Sequence, residues 1–310
     1  MKIIITGACG HIGSYLVSNI HKIKIIKKVF LIDNFHSNRY WSIFNLKKEP
    51  KFSFHQIDIS KTDSLDAFTG IDLVIHCASY TNAENSFSIK KEMYRNNIDC
   101  INNIIKFCVK KKVKLFHLSS TSVYGKQTKI VYEDDEKFLK PQSPYAEIKL
   151  IEEKLLIKNK KKLSYMSFRL GTIAGVSKGM RFHTAINKFC LNAGLDKKVE
   201  VYKTAYNQYR PYLSLKDLFL TFKYCIKKEI YNNETYNVLS GNFSVRQIID
   251  KIKKYKKRVK IKFVNTSIMN QLSYLVDDSK IKKLGVKFQA NIDVDIKETL
   301  SLFKGLKNDL

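Results

Sequence analysis

Thr6-Gly7-Ala8-Cys9-Gly10-His11-Ile12-Gly13 follows a short strand-like run, Ile3 to Ile5, and opens a helical pattern. Glycines at Gly7, Gly10 and Gly13 permit a tight turn, close approach of backbone to a pyrophosphate, and close packing of helix on strand, with the helix N-terminus facing the phosphates. A glycine turn can also merely join strand to helix. Asp33 weighs against that simpler meaning. It ends the next apolar run, Phe30-Leu31-Ile32, at the spacing where a carboxylate accepts hydrogen bonds from the adenosine ribose hydroxyls. A carboxylate there repels a 2′-phosphate, so NAD is favoured over NADP, although Arg39 stands nearby in sequence.

Working outward, strand-like runs recur at Val29 to Ile32, Phe52 to Ile57, Leu73 to His76, Val113 to Leu118 and Tyr165 to Leu170. Helical patterns lie between them, at Met93 to Val109 and Ser143 to Ile157. This alternation predicts an α/β fold, a Rossmann-type doubly wound parallel sheet. After Gly171 the pattern becomes irregular, and no glycine- or proline-rich linker intervenes. The expected organisation is a dinucleotide-binding domain over 1–170, also receiving part of 205–240, and a smaller C-terminal substrate-binding lobe formed mainly by 171–310.

Hydrophobic residues make up 44% and prolines number only 4, which excludes a disordered chain. The net charge of +28 raises nucleic acid or an acidic membrane as partners. Lysine supplies most of the excess, in runs such as 110–112 and 251–260 that lack interleaved aromatics and arginines, so solvated faces are the expectation and neither partner is assigned. The 6 cysteines show no metal-ligand spacing, and free thiols with no metal are expected. Met1-Lys2 leads straight into a strand, with no room for a signal-peptide core, and no apolar run is long enough to span a bilayer. A cytoplasmic location is the expectation.

Tyr145-Ala146-Glu147-Ile148-Lys149 places a phenol and an ammonium four residues apart on one helical face. A phenol used as a base must ionise near neutral pH, which an adjacent ammonium and a positive nicotinamide ring both favour. Upstream, Leu118-Ser119-Ser120-Thr121-Ser122-Val123-Tyr124-Gly125 ends a strand with a cluster of hydroxyls.

At these residues the sequence resembles the extended short-chain dehydrogenase/reductases, specifically their NAD-dependent nucleotide-sugar epimerase/dehydratase group (UDP-glucose 4-epimerase-like). The glycine turn, the acidic residue after the second strand, Asn96-Asn97, the Ser-Ser-x-x-Val-Tyr-Gly strand end and Ser-Pro-Tyr-Ala-x-x-Lys occur in the family's order. The resemblance implies Ser120 as the catalytic hydroxyl, Tyr145 as the base and Lys149 as its assistant. It places the cofactor against Gly7, Gly10, His11, Ile12, Gly13, Asp33, Asn34, Asp58, Ile59, Cys77, Ala78, Ser79 and Asn96, together with Tyr145 and Lys149. Further along, Phe168-Arg169-Leu170-Gly171-Thr172 and Gln208-Tyr209-Arg210-Pro211-Tyr212, followed by Asp217, resemble the family's substrate-side segments. Thr121, Thr172, Arg181 and Arg210 are the implied substrate contacts, with Arg210 gripping a diphosphate. Thr172 stands where the family usually has asparagine, and Pro211 where it usually has aspartate.

The implied function is an NAD-dependent epimerase of a nucleotide-activated sugar, a homodimer, working through hydride transfer at C4 and a 4-keto intermediate. Within the family the rivals are a 4-reductase, a 4,6-dehydratase and a decarboxylase. Outside it stand a silent NAD-binding module and an RNA-associated protein. Retention of Ser120, Tyr145 and Lys149 together argues against silence. His183 is a candidate acid, although a loop histidine is usually just solvated.

Overall fold

In the first strand, Ile3 and Ile5 enter one apolar core and Ile4 the other. This period of two explains how a strand of consecutive isoleucines is buried on both faces, as a central parallel strand must be. In the computed structural model, which describes residues 1–81, 85–265 and 274–306, seven parallel strands form the central sheet. Their order is Glu234–Val238, Tyr165–Leu170, Lys114–Ser120, Leu73–His76, Lys2–Thr6, Lys28–Asp33 and Lys51–Gln56.

Helices cover both faces. His11–Asn19 and Leu215–Lys227 supply Leu16, Leu218 and Phe222 to the first core, while Lys90–Lys111 and Pro144–Asn159 supply Ile101, Ile104 and Leu156 to the second. The strand order reverses between Lys2–Thr6 and Leu73–His76. Ligands bind at such a switch point, beyond the carboxyl ends of the strands.

A third core lies beside the sheet. Ala174, Ile186, Phe189, Tyr212, Ile248 and Ile296 pack there around a three-stranded sheet of Gly241–Ser244, Tyr209–Ser214 and Thr172–Ala174. The chain returns from this region to the central sheet through strand Glu234–Val238, which pairs in parallel with Tyr165–Leu170. Helix Val245–Tyr255 begins with a reciprocal cap, the Ser244 side chain accepting the Gln247 amide and the Gln247 side chain accepting the Ser244 amide. The cysteines are free, as expected, and all but Cys77 are buried. Among the described residues no helix is long and apolar enough to cross a membrane, and no cluster of potential metal ligands occurs.

Candidate active site

Gly7 ends the first strand with φ +62°, a backbone region that favours glycine. A Cβ there would lie 2.7 Å from the Ala78 amide nitrogen, and one at Gly13 would fall on the Gly7 carbonyl oxygen. These two glycines let the turn nest against the Leu73–His76 strand end and against its own helix. Gly10 is roomier: its nearest contact would be 3.2 Å, to the Gly7 oxygen, which leaves its face open toward the cleft.

Asp33 anchors the turn from the neighbouring strand. Its Oδ2 accepts the Cys9 amide at 2.9 Å and its Oδ1 the Phe35 amide at 2.8 Å. Each carboxylate oxygen keeps a lone pair for a further donor such as a ribose hydroxyl. His11 is buried, with Nε2 2.9 Å from the Gly175 carbonyl, so that nitrogen carries the proton. Burial first, and the Arg181 charge second, depress its pKa to about 3, and the ring is neutral. Its Nδ1 has no partner among the described residues.

All the residues expected from the sequence to contact cofactor or substrate line one cleft of about 800 Å³. Gly7, Gly10, His11, Ile12 and Gly13 form its floor with Asp33 and Asn34. Asp58 and Ile59, then Cys77, Ala78 and Ser79, reach it from the next strand ends, and Asn96 from the start of helix Lys90–Lys111. Ser120, Thr121, Tyr145 and Lys149 stand on one wall; Thr172, Arg181 and Arg210 come from the C-terminal half. Asp217, by contrast, is buried outside the cleft, accepting the Ser240 hydroxyl at 2.6 Å and the Gln289 and Ala290 amides at 2.7 and 2.9 Å.

The wall that carries Tyr145 and Lys149 is built by a helix cap. Ser143 Oγ accepts the Ala146 amide at 3.2 Å, and Pro144 occupies the first turn, where a missing N–H is harmless. Tyr145 is thereby fixed in the first turn and Lys149 one turn on. The Lys149 ammonium lies 5.9 Å from the centre of the Tyr145 ring. On the same wall Ser120 Oγ accepts the Ser122 amide at 3.2 Å and the Ser122 hydroxyl at 2.9 Å, so its own O–H remains to donate. The Thr121 hydroxyl donates to the Leu170 carbonyl at 3.1 Å and accepts from Tyr274 at 3.4 Å, which leaves one acceptor lone pair.

Other participants include Gly179, which carries no local sequence signal. The Asn97 side chain, more than its neighbour Asn96, clamps the loop after Leu73–His76, accepting the Tyr80 amide at 2.8 Å and donating to the Tyr80 carbonyl at 3.0 Å. Gly179 packs so closely on the glycine turn that a Cβ would fall on the Cys9 oxygen, and its amide donates to Ser14 Oγ at 2.8 Å. Arg181, two residues on, hydrogen-bonds Thr81, while its Nε has no partner among the described residues. Burial and the nearby Arg39 charge, partly offset by Tyr145, lower its pKa to about 10; the guanidinium stays charged at neutral pH. His183 lines the same wall, and desolvation together with the Arg181, Arg39 and Lys188 charges depresses its pKa to about 4.

The parallel sheet, the glycine turn at its switch point and the acidic residue on the neighbouring strand define a dinucleotide-binding α/β protein. Residues 3–238 match the model of the NAD dependent epimerase/dehydratase family, and the chain belongs to that family. NAD is its cofactor, and the unpartnered buried polar atoms of His11 and Arg181 and the glycine cradle fit such a group.

A trifunctional UDP-glucose 4,6-dehydratase/3,5-epimerase/4-keto-L-rhamnose-reductase of Arabidopsis thaliana is 26% identical over 316 residues, covering 97% of this chain and 47% of the plant protein. The chain thus spans about half the length of the first curated relatives it matches. Among solved structures, UDP-glucuronic acid 4-epimerase from Bacillus cereus, in complex with UDP-glucuronic acid and NAD, superposes with a TM-score of 0.86 at 25% identity, covering 98% of this chain and 99% of that one. A dTDP-glucose 4,6-dehydratase from Streptomyces venezuelae shares the fold, with a TM-score of 0.87 at 19% identity over 98% and 97% of the two chains.

Proposed function

We propose that the chain is an NAD-dependent 4-epimerase of a nucleotide-activated sugar. The observation that carries this choice is the chemistry of the wall that holds Tyr145: Ser120, Thr121 and Ser122 are all neutral hydroxyls. Elimination of water across C5 and C6, or loss of a carboxylate, calls for an ionisable group beside the ring. Among the described residues the carboxylates lining the cleft are engaged elsewhere. Asp33 holds the glycine turn, Asp58 accepts from Ser60, Glu92 lies beside Tyr80, and Glu200 pairs with Lys262.

Tyr145, as phenolate, takes the proton of the sugar 4-hydroxyl, and Ser120 donates its free O–H to the same oxygen as the ketone forms. The Gly7 to Gly13 turn and Asp33 would hold NAD, which would supply the hydride acceptor, and later the donor, for C4. Lys149 keeps positive charge beside the phenol. The resulting 4-keto sugar, still held by its diphosphate on Arg210 and by the wider positive field of Arg39 and Arg181, turns its other face and is reduced, Tyr145 giving the proton back. The reaction is redox-neutral. Its test is incubation of the purified protein with a panel of nucleotide sugars, the products being read by NMR. The 4-epimer of one of them, formed without added reductant, is expected; a 4-keto-6-deoxy sugar or a pentose product would refute the proposal.

A further inference from the structure

Lys149 carries a second, hidden partner. Its ammonium donates to Glu152 Oε2 at 2.7 Å, and the same oxygen accepts His117 Nε2 at 2.8 Å. A carboxylate can only accept, so Nε2 bears the proton; His117 Nδ1 lies 2.9 Å from Ser167 Oγ. Glu152 and Lys149 are nine-tenths or more buried, and His117 and Ser167 are wholly so.

The sheet register explains how these groups meet. Thr6, His76, His117 and Ser167 stand side by side on four adjacent strands, a polar row across the centre of an otherwise apolar sheet. Helix Pro144–Asn159 crosses its His117 end, and Glu152, one turn beyond Lys149, comes down on it. A buried carboxylate is costly unless paired, so its retention here against one ammonium and one ring nitrogen needs a reason beyond packing.

We infer that Glu152, oriented by His117 and Ser167, is the positioning residue that holds the Lys149 side chain in place and keeps it ionised beside Tyr145. Burial alone would drive the lysine toward the neutral amine. Instead its pKa is raised: desolvation opposes the charge, but the Glu152 carboxylate, with Tyr145 adding to it, outweighs desolvation. The Glu152 carboxyl is in turn held below its ordinary range, the Lys149 and His117 contacts overcoming its burial. The other titratable groups around the cluster are His76 and Cys77 at the neighbouring strand end and Cys100 on helix Lys90–Lys111. His76 is depressed by burial to about 3 and is neutral, and burial raises both thiols to about 12, so none of them can take the place of the carboxylate. Glu153, next in sequence, is unavailable: it grips Arg169 through both oxygens.

The inference rests on Tyr145 and Lys149 forming the reactive pair, and its test is chosen to be read without turnover. Nitrogen NMR of isotopically labelled lysine, with the Lys149 signal assigned from Lys149→Met, follows the ammonium as pH is raised. In Glu152→Gln, which keeps shape and removes charge, Lys149 should lose its proton at least about one pH unit lower than in the wild type. His117→Gln should shift it in the same direction by less, and serves if the first variant does not fold. The alkaline limb of kcat/KM should move with the NMR titration in each variant, with KM little changed. Superimposable lysine titrations in wild type and variants would overturn the inference, whatever the substrate proves to be. A wild type with no turnover on any nucleotide sugar would overturn the functional reading alone.

Discussion

The two halves of the cleft are specified in different ways. On the N-terminal side each contact is made by a strand end, a turn or a helix start whose neighbours are close in sequence: Gly7 to Gly13, Asp33, Ser120, and Tyr145 with Lys149. On the C-terminal side the walls are assembled across long separations, Gly179 on Gly10, Tyr274 on Thr121, and Arg210 on a strand that pairs with 241–244. Chemistry common to a family can be written in local backbone constraints. Recognition of one substrate depends on where distant segments come to rest, and can change without disturbing the first half.

This contrast is most severely tested where the largest effect is expected. Tyr145→Phe should lower kcat by roughly 10²–10⁴-fold, the range for a lost general base, while the purified variant retains its NAD. Activity near that of the wild type would remove the catalytic half of the comparison. Next come the glycines. Gly179→Ala drives a Cβ onto the Cys9 and Gly10 carbonyls and should weaken NAD binding by at least about tenfold in a direct titration, about 1.4 kcal/mol. Gly10→Ala, with a single 3.2 Å contact to absorb, should cost the fold little. If Gly179→Ala leaves NAD affinity unchanged, the two halves are less coupled than their packing indicates.

A smaller pair of effects should separate cleanly. Asp33→Ala should weaken NAD by roughly 1.5–3 kcal/mol, the worth of hydrogen bonds to a charged group, whereas Arg210→Ala should raise KM for the nucleotide sugar and leave NAD affinity alone. Comparable loss of NAD in both variants would merge the two subsites.

The smallest effect concerns Asp295, which joins the C-terminal helix to Ser214 by a 3.0 Å hydrogen bond and whose Oδ2 has no partner among the described residues. Burial first, with Glu298 and Asp217 adding to it, raises its pKa from 3.8 to about 7. Folded protein then binds this proton more tightly than unfolded chain. Its contribution to stability falls as pH rises from about 4 to about 7. Asp295→Asn should raise Tm by a few degrees above that window and leave it unchanged below, as scanning calorimetry at several pH values would show.

How much of this was legible follows from the same contrast. Alternating isoleucines, glycine spacing and the Tyr145/Lys149 pair announce themselves within windows of a few residues, so the sheet and the placing of Tyr145 and Lys149 at the cleft could be read directly. Strand and helix ends differed by only a few residues; helix Lys90–Lys111 extends beyond the expected 93–109 because its first turn carries polar residues that break the apolar period. The Glu152–His117 contact could not be read, since Glu152 on a lysine-rich helix looks solvated until the sheet register puts His117 beneath it. Asn97 likewise gives no sign of which asparagine of the pair faces inward. Asp217, legible only as part of a motif, accepts the Ser240 hydroxyl and the Gln289 and Ala290 amides, partners that lie far from it in sequence.

In the proposed reaction hydrogen leaves C4 and returns to it with no base acting on the neighbouring carbons, a course that turnover in deuterated water distinguishes from its rivals. The expected product is a 4-epimer whose C4 hydrogen comes from the substrate and whose C3 and C5 carry no deuterium. Deuterium at C5, or a 4-keto-6-deoxy product, would contradict it and would point to a base other than Ser120, Thr121 and Ser122, with His183 on the facing wall the first residue to replace.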